Sequence, residues 1–209
     1  MRTKTLLCAA VLAAGVATSA VAQSNVYSLN VVGYYNVDAP AGQRVMIANQ
    51  LHTTNDVLSN VLPGPYADGT IFFFYNNGYS ASPWDTDANA WSADFPLPPG
   101  RGGFLFSQVH QTLTFVGEVS QGSLTNALVK NQRSVRAPVP PLQLTLSQMN
   151  LPAEDGDIVF QYRGGYTASP YDTDAAAWSV DLTNRVGESF FYFKGGGNLT
   201  NWTYNFTVQ

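Results

Sequence analysis

Hydrophobic residues along this chain come in short bursts, broken by glycine, proline, asparagine and aspartate. Residues 26–37 (VYSLNVVGYYNV) mix β-branched and aromatic side chains and read as a strand, with a bulge expected at Gly33. Residues 39–42 (APAG) read as a turn, and 45–48 as a short buried strand. Residues 55–62 (NDVLSNVL) place Val57, Leu58, Val61 and Leu62 at helical spacing. Asn55 or Asp56 is the expected cap, and Pro63-Gly64 the stop. A strand follows at 71–75. Asn76-Asn77-Gly78 is the kind of tight turn that needs positive φ, and the hairpin returns through Tyr79, Ser80 and Ala81. Further strands are expected at 103–108 and 113–119.

The same order then recurs. Residues 68–94 and 155–181 align without a gap at an offset of 87, with 18 of 27 positions identical, so one architecture is written twice. Residues 142–149 match the first helix at that offset and are expected to be helical. Strands at 158–162, 166–168, 189–194 and 202–208 complete the second copy. Pro138, Pro140 and Pro141 mark an extended segment between the two. Many short strands at close spacing predict an all-β fold, a pseudo-symmetric antiparallel β-sandwich or open barrel from two tandem repeats, with one or two short helices. The expected division is a signal peptide at 1–22, one β-rich repeat at 23–121 and a second at 122–209.

The leader sets the compartment. Arg2 and Lys4 precede a small apolar run from 6 to 20, and Ala20-Val21-Ala22 before Gln23 has the form of a cleavage site. A secreted or extracytoplasmic protein is expected, with no transmembrane segment in the mature chain. Removing the leader takes away Cys8, the single cysteine, and with it disulfides and thiol chemistry. It also takes away Arg2 and Lys4, leaving eight basic residues against fourteen acidic ones, a formal charge of −6. That balance argues against nucleic acid or anionic lipid as the partner. Lys130, Arg133 and Arg136 form the one basic cluster and read as solvated loop residues.

Candidate chemistry gathers in the repeated acidic loop. Asp85, Asp87 and Asn89 have the D-x-D-x-N spacing that opens calcium loops, where alternate positions offer oxygens to a hard cation at about 2.4 Å. The sixth position is not glycine, and Ala93 stands where a closing carboxylate is expected. The second copy keeps Asp172 and Asp174 but has Ala176 in place of the asparagine. Capping of a turn by the aspartates is the competing reading. Glycosidase catalysis requires two carboxyl groups in unlike environments, which a motif shared by both copies does not favour. Gly78-Tyr79-Ser80-Ala81-Ser82 narrowly misses a nucleophile elbow, and Ser80 becomes Thr167 in the second copy. His52 and His110 have no metal-ligand spacing. Asn198, Asn201 and Asn205 each start an N-x-T triplet within an Asn/Thr-rich strand. No cofactor other than calcium is suggested.

Aromatic residues flank the same loop. Tyr79, Trp84 and Trp91 have counterparts Tyr166, Tyr171 and Trp178. Trp91 and Trp178 are expected in the core. Trp84 with Asp85 and Asp87, and Tyr171 with Asp172 and Asp174, make a candidate ligand-binding set: rings to stack on sugars, carboxylates to accept from their hydroxyls.

The segments SLNVVGYYNV at 28–37, PAG at 40–42, IANQL at 47–51, LTFVGEVSQGSLTN at 113–126 and GESFFYFK at 187–194 resemble a family of exported bacterial proteins of unknown function. The resemblance implies export and a β-rich body with duplicated halves, and supplies no catalytic residues. This chain departs from it at NQRSVRAPVPP (131–141), where an apolar strand is expected. With no catalytic set in view, the sequence reads as an exported non-enzymatic protein with a structural or adhesive role in the cell envelope or extracellular matrix. The alternative is a carbohydrate-binding module using the paired aromatic/Asp loops. The expected partners are polysaccharide or other envelope proteins.

Overall fold

Runs such as IFFFY and FFYF are apolar or aromatic at every position because the sheets they form are covered on both faces. The computed structural model describes residues 31–198 and 200–208. The leader and residues 26–30 of the expected opening strand lie outside the described residues. The described chain is all-β and antiparallel, sandwich-like, with no closed barrel.

In the first half, β1 (Val32–Ala39) pairs with β7 (Gln111–Glu118) as a two-stranded ribbon. Between them come β2 (Gln43–Asn49), α1 (Leu58–Val61), β3 (Ile71–Tyr75), β4 (Tyr79–Asp85), β5 (Ala90–Trp91) and β6 (Arg101–Ser107). These strands make a five-stranded sheet in the order β2-β6-β3-β4-β5. In the second half, β8 (Gly122–Ala127) pairs with β16 (Asn201–Phe206). The second sheet runs β9-β15-β11-β12-β13, built from β9 (Gln132–Arg136), β11 (Ile158–Tyr162), β12 (Tyr166–Asp172), β13 (Ala177–Trp178) and β15 (Phe190–Lys194). Short strands β10 (Leu144–Thr145) and β14 (Thr183–Asn184) pair beside it. The strand order is the same in both sheets.

Alternation along the strands assigns the layers. Ile47, Phe72 and Leu105 point to the ribbon and meet Tyr35, Leu113 and Phe115 in one core. Their neighbours Met46, Phe73 and Phe104 point the other way, to Val135, Phe160 and Phe191 of the second sheet. There Val159, Phe190 and Tyr192 turn outward to Trp202 and Leu128. Phe104 and Phe191 lie at the centre between the sheets, with ring centroids 6.1 Å apart.

Polar contacts fasten the halves. Buried Gln50 uses its whole amide: Nε2 donates to Pro138 O and Pro140 O at 2.9 and 3.0 Å, and Oε1 accepts from Gly187 N at 2.7 Å. Ala48 N donates to Gly187 O, and Ala137 N to Gly100 O. Both glycines have positive φ, +84° and +75° for Gly100 and Gly187, a backbone region that side chains disfavour.

Several expectations need correction. The β1–β7 register is unbroken through Gly33, so no bulge forms there. Glycine serves close packing instead, since a Cβ would lie 2.9 Å from Val119. The first helix is a single turn, and its N-cap is Val57 with no side-chain cap. Asp56 accepts from Thr53 N and pairs with His52 at 2.6 Å rather than capping. Residues 146–150 form a turn, not a second helix, after Thr145 enters β10. In the basic cluster Lys130 and Arg133 are exposed, but Arg133 and Arg136 belong to β9, and Arg136 is 1 % exposed. The Arg136 guanidinium donates to Ala127 O and Val135 O, which fits NQRSVRAPVPP into the fold. Burial, and then nearby Arg101, pulls its pKa down to about 9, still high enough to keep the cation at neutral pH.

Candidate functional site

The repeated acidic loops are turns closed by their own side chains. Asp85 Oδ1 accepts from Asp87 N and Ala88 N, both at 2.9 Å. Asp172 Oδ1 accepts from Asp174 N and Ala175 N at 2.9 and 3.0 Å. Asn89 and Ala176 both take φ +49°, the left-handed residue that returns the chain to β5 and β13. Asp87 and Asp174 are exposed. Among the described residues, no group of three or more His, Asp or Glu is placed to hold a metal ion. The calcium spacing of Asp85, Asp87 and Asn89 is thus the spacing of a capped turn.

Trp84 is 4 % exposed, which corrects its expected role as a stacking surface. Alternation along β4 turns it inward, edge-on to Tyr66 and Trp91 at 5.2 and 5.3 Å, and over Gly64, where a Cβ would lie 2.4 Å away. Its counterpart Tyr171 is half-buried against Trp178 at 5.2 Å. Trp91 and Trp178 are core, as expected, and Trp91 Nε1 donates to Leu62 O at 2.8 Å.

The repeated serine has a local task too. Ser82 Oγ donates to Ala93 O and accepts from Ala93 N, and Ser169 does the same with Val180. Ser82→Ala is expected to cost about 1–3 kcal/mol in urea unfolding, because two backbone groups lose their partner.

The aromatic residues left accessible converge elsewhere. Tyr79 and Tyr166, at the start of β4 and β12, are each 55 % exposed. They line an open cleft of about 340 Å³ between the sheets together with Arg44, Phe73, Phe104 and Tyr162, and their phenols share a hydrogen bond. Two matching sets of rings hold the tyrosines that line it. Tyr75 meets Tyr79 at 5.1 Å and Phe191 at 5.0 Å; Tyr162 meets Tyr166 at 5.0 Å and Phe104 at 5.2 Å, all edge-to-face. Edge-to-face packing suits the ring quadrupole and holds each ring in one orientation. Arg44 lies on edge strand β2 with its guanidinium 5.3 Å from the Phe73 centroid. Arg133 repeats this on β9 over Phe160 at 5.0 Å. Partial desolvation, followed by the hydrogen-bonding Tyr166 phenol, pushes the Tyr79 phenol well above its usual range, so Tyr79 stays protonated.

The structure therefore separates what the sequence placed together. Asp85 and Asp172 end β4 and β12, Asp87 and Asp174 stay on the exposed turns, Trp84 goes to the core, and Tyr79 and Tyr166 line the cleft. Arg44, Phe73, Phe104 and Tyr162 were absent from the sequence-based site. The available signal was the tyrosine pair on either side of each hairpin turn, Tyr75 and Tyr79 repeated as Tyr162 and Tyr166. In comparison with known proteins, no family model, no curated protein and no solved structure matches this chain.

Proposed function

We propose that this chain is an exported, non-enzymatic β protein with an adhesive or structural role in the cell envelope or extracellular matrix, holding polysaccharide in the cleft between its two sheets. The observation that carries the reading is the pair of exposed tyrosines, Tyr79 and Tyr166, facing one aromatic cleft. Tyrosine faces accept the C–H edges of a sugar ring, and the phenol hydroxyls and Arg44 offer polar contacts to its hydroxyl or acidic groups. A largely apolar cleft with a few polar groups at its rim is the usual form of a binding site. Export rests on residues 1–22 and on the resemblance described above. The ribbon β1–β7 adds a second surface for envelope contacts, since its outer face exposes Val32, Tyr34 and Val116, at 73, 76 and 56 %. The matching face of β8–β16 carries Ser123, Thr125, Thr203 and Asn205.

The test is retention of the secreted protein on a panel of insoluble polysaccharides. Tyr79→Ala/Tyr166→Ala is expected to weaken retention at least about tenfold while thermal unfolding stays near that of the parent. Trp84 would be the wrong control, because it is buried against Tyr66 and Trp91 and its loss would leave a cavity in the core. Since the Tyr79 phenol, raised by desolvation, does not ionise near neutrality, retention should be flat between about pH 6 and 9. Undiminished retention by the double variant, or none by the parent, would remove the cleft from the function.

A further inference from the structure

The second half buries charge where the first half has none. Lys194 closes β15 and Asp157 immediately precedes β11, one step beyond the Ile158–Phe193 pair of the ladder. Both side chains are fully buried. Lys194 Nζ lies 2.7 Å from Asp157 Oδ2, 2.8 Å from Glu154 Oε2 and 3.0 Å from Pro152 O. Asp157 Oδ1 accepts from Gly195 N at 2.7 Å. Oδ2 also accepts from Tyr192 OH at 2.7 Å and Glu154 N at 2.9 Å. The neighbouring core is Val159, Trp178, Phe190 and Trp202. At the offset of 87 the first half has Thr70 and Ser107, neutral residues joined through Gln111 Nε2, so this strand pairing forms without any charge.

We propose that Lys194 and Asp157 condense into an intramolecular amide that joins β15 to the start of β11, with Glu154 carrying the protons. The geometry assigns each group a part. Glu154 carboxylate takes a proton from the Lys194 ammonium, which frees the nitrogen lone pair. Glu154 hands that proton to Asp157 Oδ2, Nζ attacks Cγ of the carboxyl group now neutral, and the Gly195 N–H steadies the negative charge that develops on Oδ1; the second proton from Nζ follows the same route to Oδ2. Tyr192 OH and the Glu154 N–H hold Oδ2 as it departs. Burial, then the hydrogen bond to Asp157, pushes the Tyr192 phenol up, so it stays protonated as a donor. Nζ gives up its second proton, the Cγ–Oδ2 bond breaks, and Oδ2 leaves with two protons as water. An ammonium and a carboxylate thus become one neutral amide and one water, with no oxidant or reductant. Two buried ions that are costly to desolvate are replaced by a neutral group. Fixed proximity supplies the effective concentration that an amine and a carboxyl lack in solution. In a processed chain without cysteine, the amide ties residues 37 apart in sequence.

The experiment is intact-mass spectrometry of the folded, secreted full chain after denaturation, followed by peptide mapping. The expected mass is about 18 Da below that of the processed sequence, one water, with a branched peptide joining the segments that contain Asp157 and Lys194. Lys194→Arg keeps the cation but has no amine to acylate, and is expected at full mass. Glu154→Gln is expected largely at full mass, and full conversion of that variant would remove Glu154 as the proton carrier. The parent protein at full mass overturns the proposal. So does a deficit that maps to Asp68-Gly69 or Asp155-Gly156, where aspartate can instead close on the next backbone nitrogen.

Discussion

Gly102→Val is expected to cost the fold about 3 kcal/mol or more, a fall of roughly 10 °C in melting temperature for a chain of this size. Gly102 lies on β6, on the face turned to the second sheet. A Cβ there would stand 2.1 Å from Ile47 O and 2.8 Å from both Cβ and Oγ of Ser189. The nearest of these is backbone, held in the β2–β6 ladder, so no rotamer change relieves the contact. Ser189 belongs to the second half, so the clash also falls between the two halves. Gly78→Ala is the matched control, because nothing lies within 4 Å of its added carbon and its φ is not positive. That variant should melt within about 0.5 kcal/mol of the parent. Equal melting of the two variants would mean that the approach of the sheets at Gly102 is not needed for stability.

Phe191→Ala is expected to lose about 3–5 kcal/mol in urea unfolding, since a buried aromatic ring leaves a cavity that its surroundings fill only in part. Phe191 is 5 % exposed and touches Tyr75, Phe104 and Tyr166, which gives it contacts with both sheets. Phe104→Ala should cost a similar amount, because Phe104 is 4 % exposed and meets Tyr162, Tyr79 and Phe191 in the mirrored arrangement. The same substitutions should weaken polysaccharide retention through the rings that Phe104 and Phe191 brace. A loss below about 1 kcal/mol for either would show that the rings between the sheets are loosely packed.

The hairpin turns were legible residue by residue. Asn77 and Gly164 carry the positive φ expected at NNG and RGG, at +55° and +77°. A turn is decided by the few residues inside it, so local sequence suffices. The candidate site was legible only in part. Tyr79 and Tyr166 sit at matching places in the repeat, but whether a ring is wet depends on what lies across from it. Trp84 and Tyr79 are both aromatic residues of β4, yet alternation and the position of Tyr66 bury the first, while the gap between the sheets leaves the second accessible. Arg136 followed the same rule in reverse. Its charge suggested solvent, but the carbonyls of Ala127 and Val135 needed donors at that point.

By itself the sequence determined the antiparallel β character and the repeated hairpin with its turns, because these follow from side-chain alternation and from glycine and asparagine φ preferences, whereas strands β8 and β9 carried no such local pattern. The tertiary structure alone decided that 146–150 is a turn, that Asp85 and Asp172 close turns through their carboxylates, and that five rings and Arg44 share a cleft. It also set Lys194 against Asp157 and Glu154. These outcomes depend on contacts between residues far apart in the chain, and no local pattern encodes which distant surface will cover a given side chain.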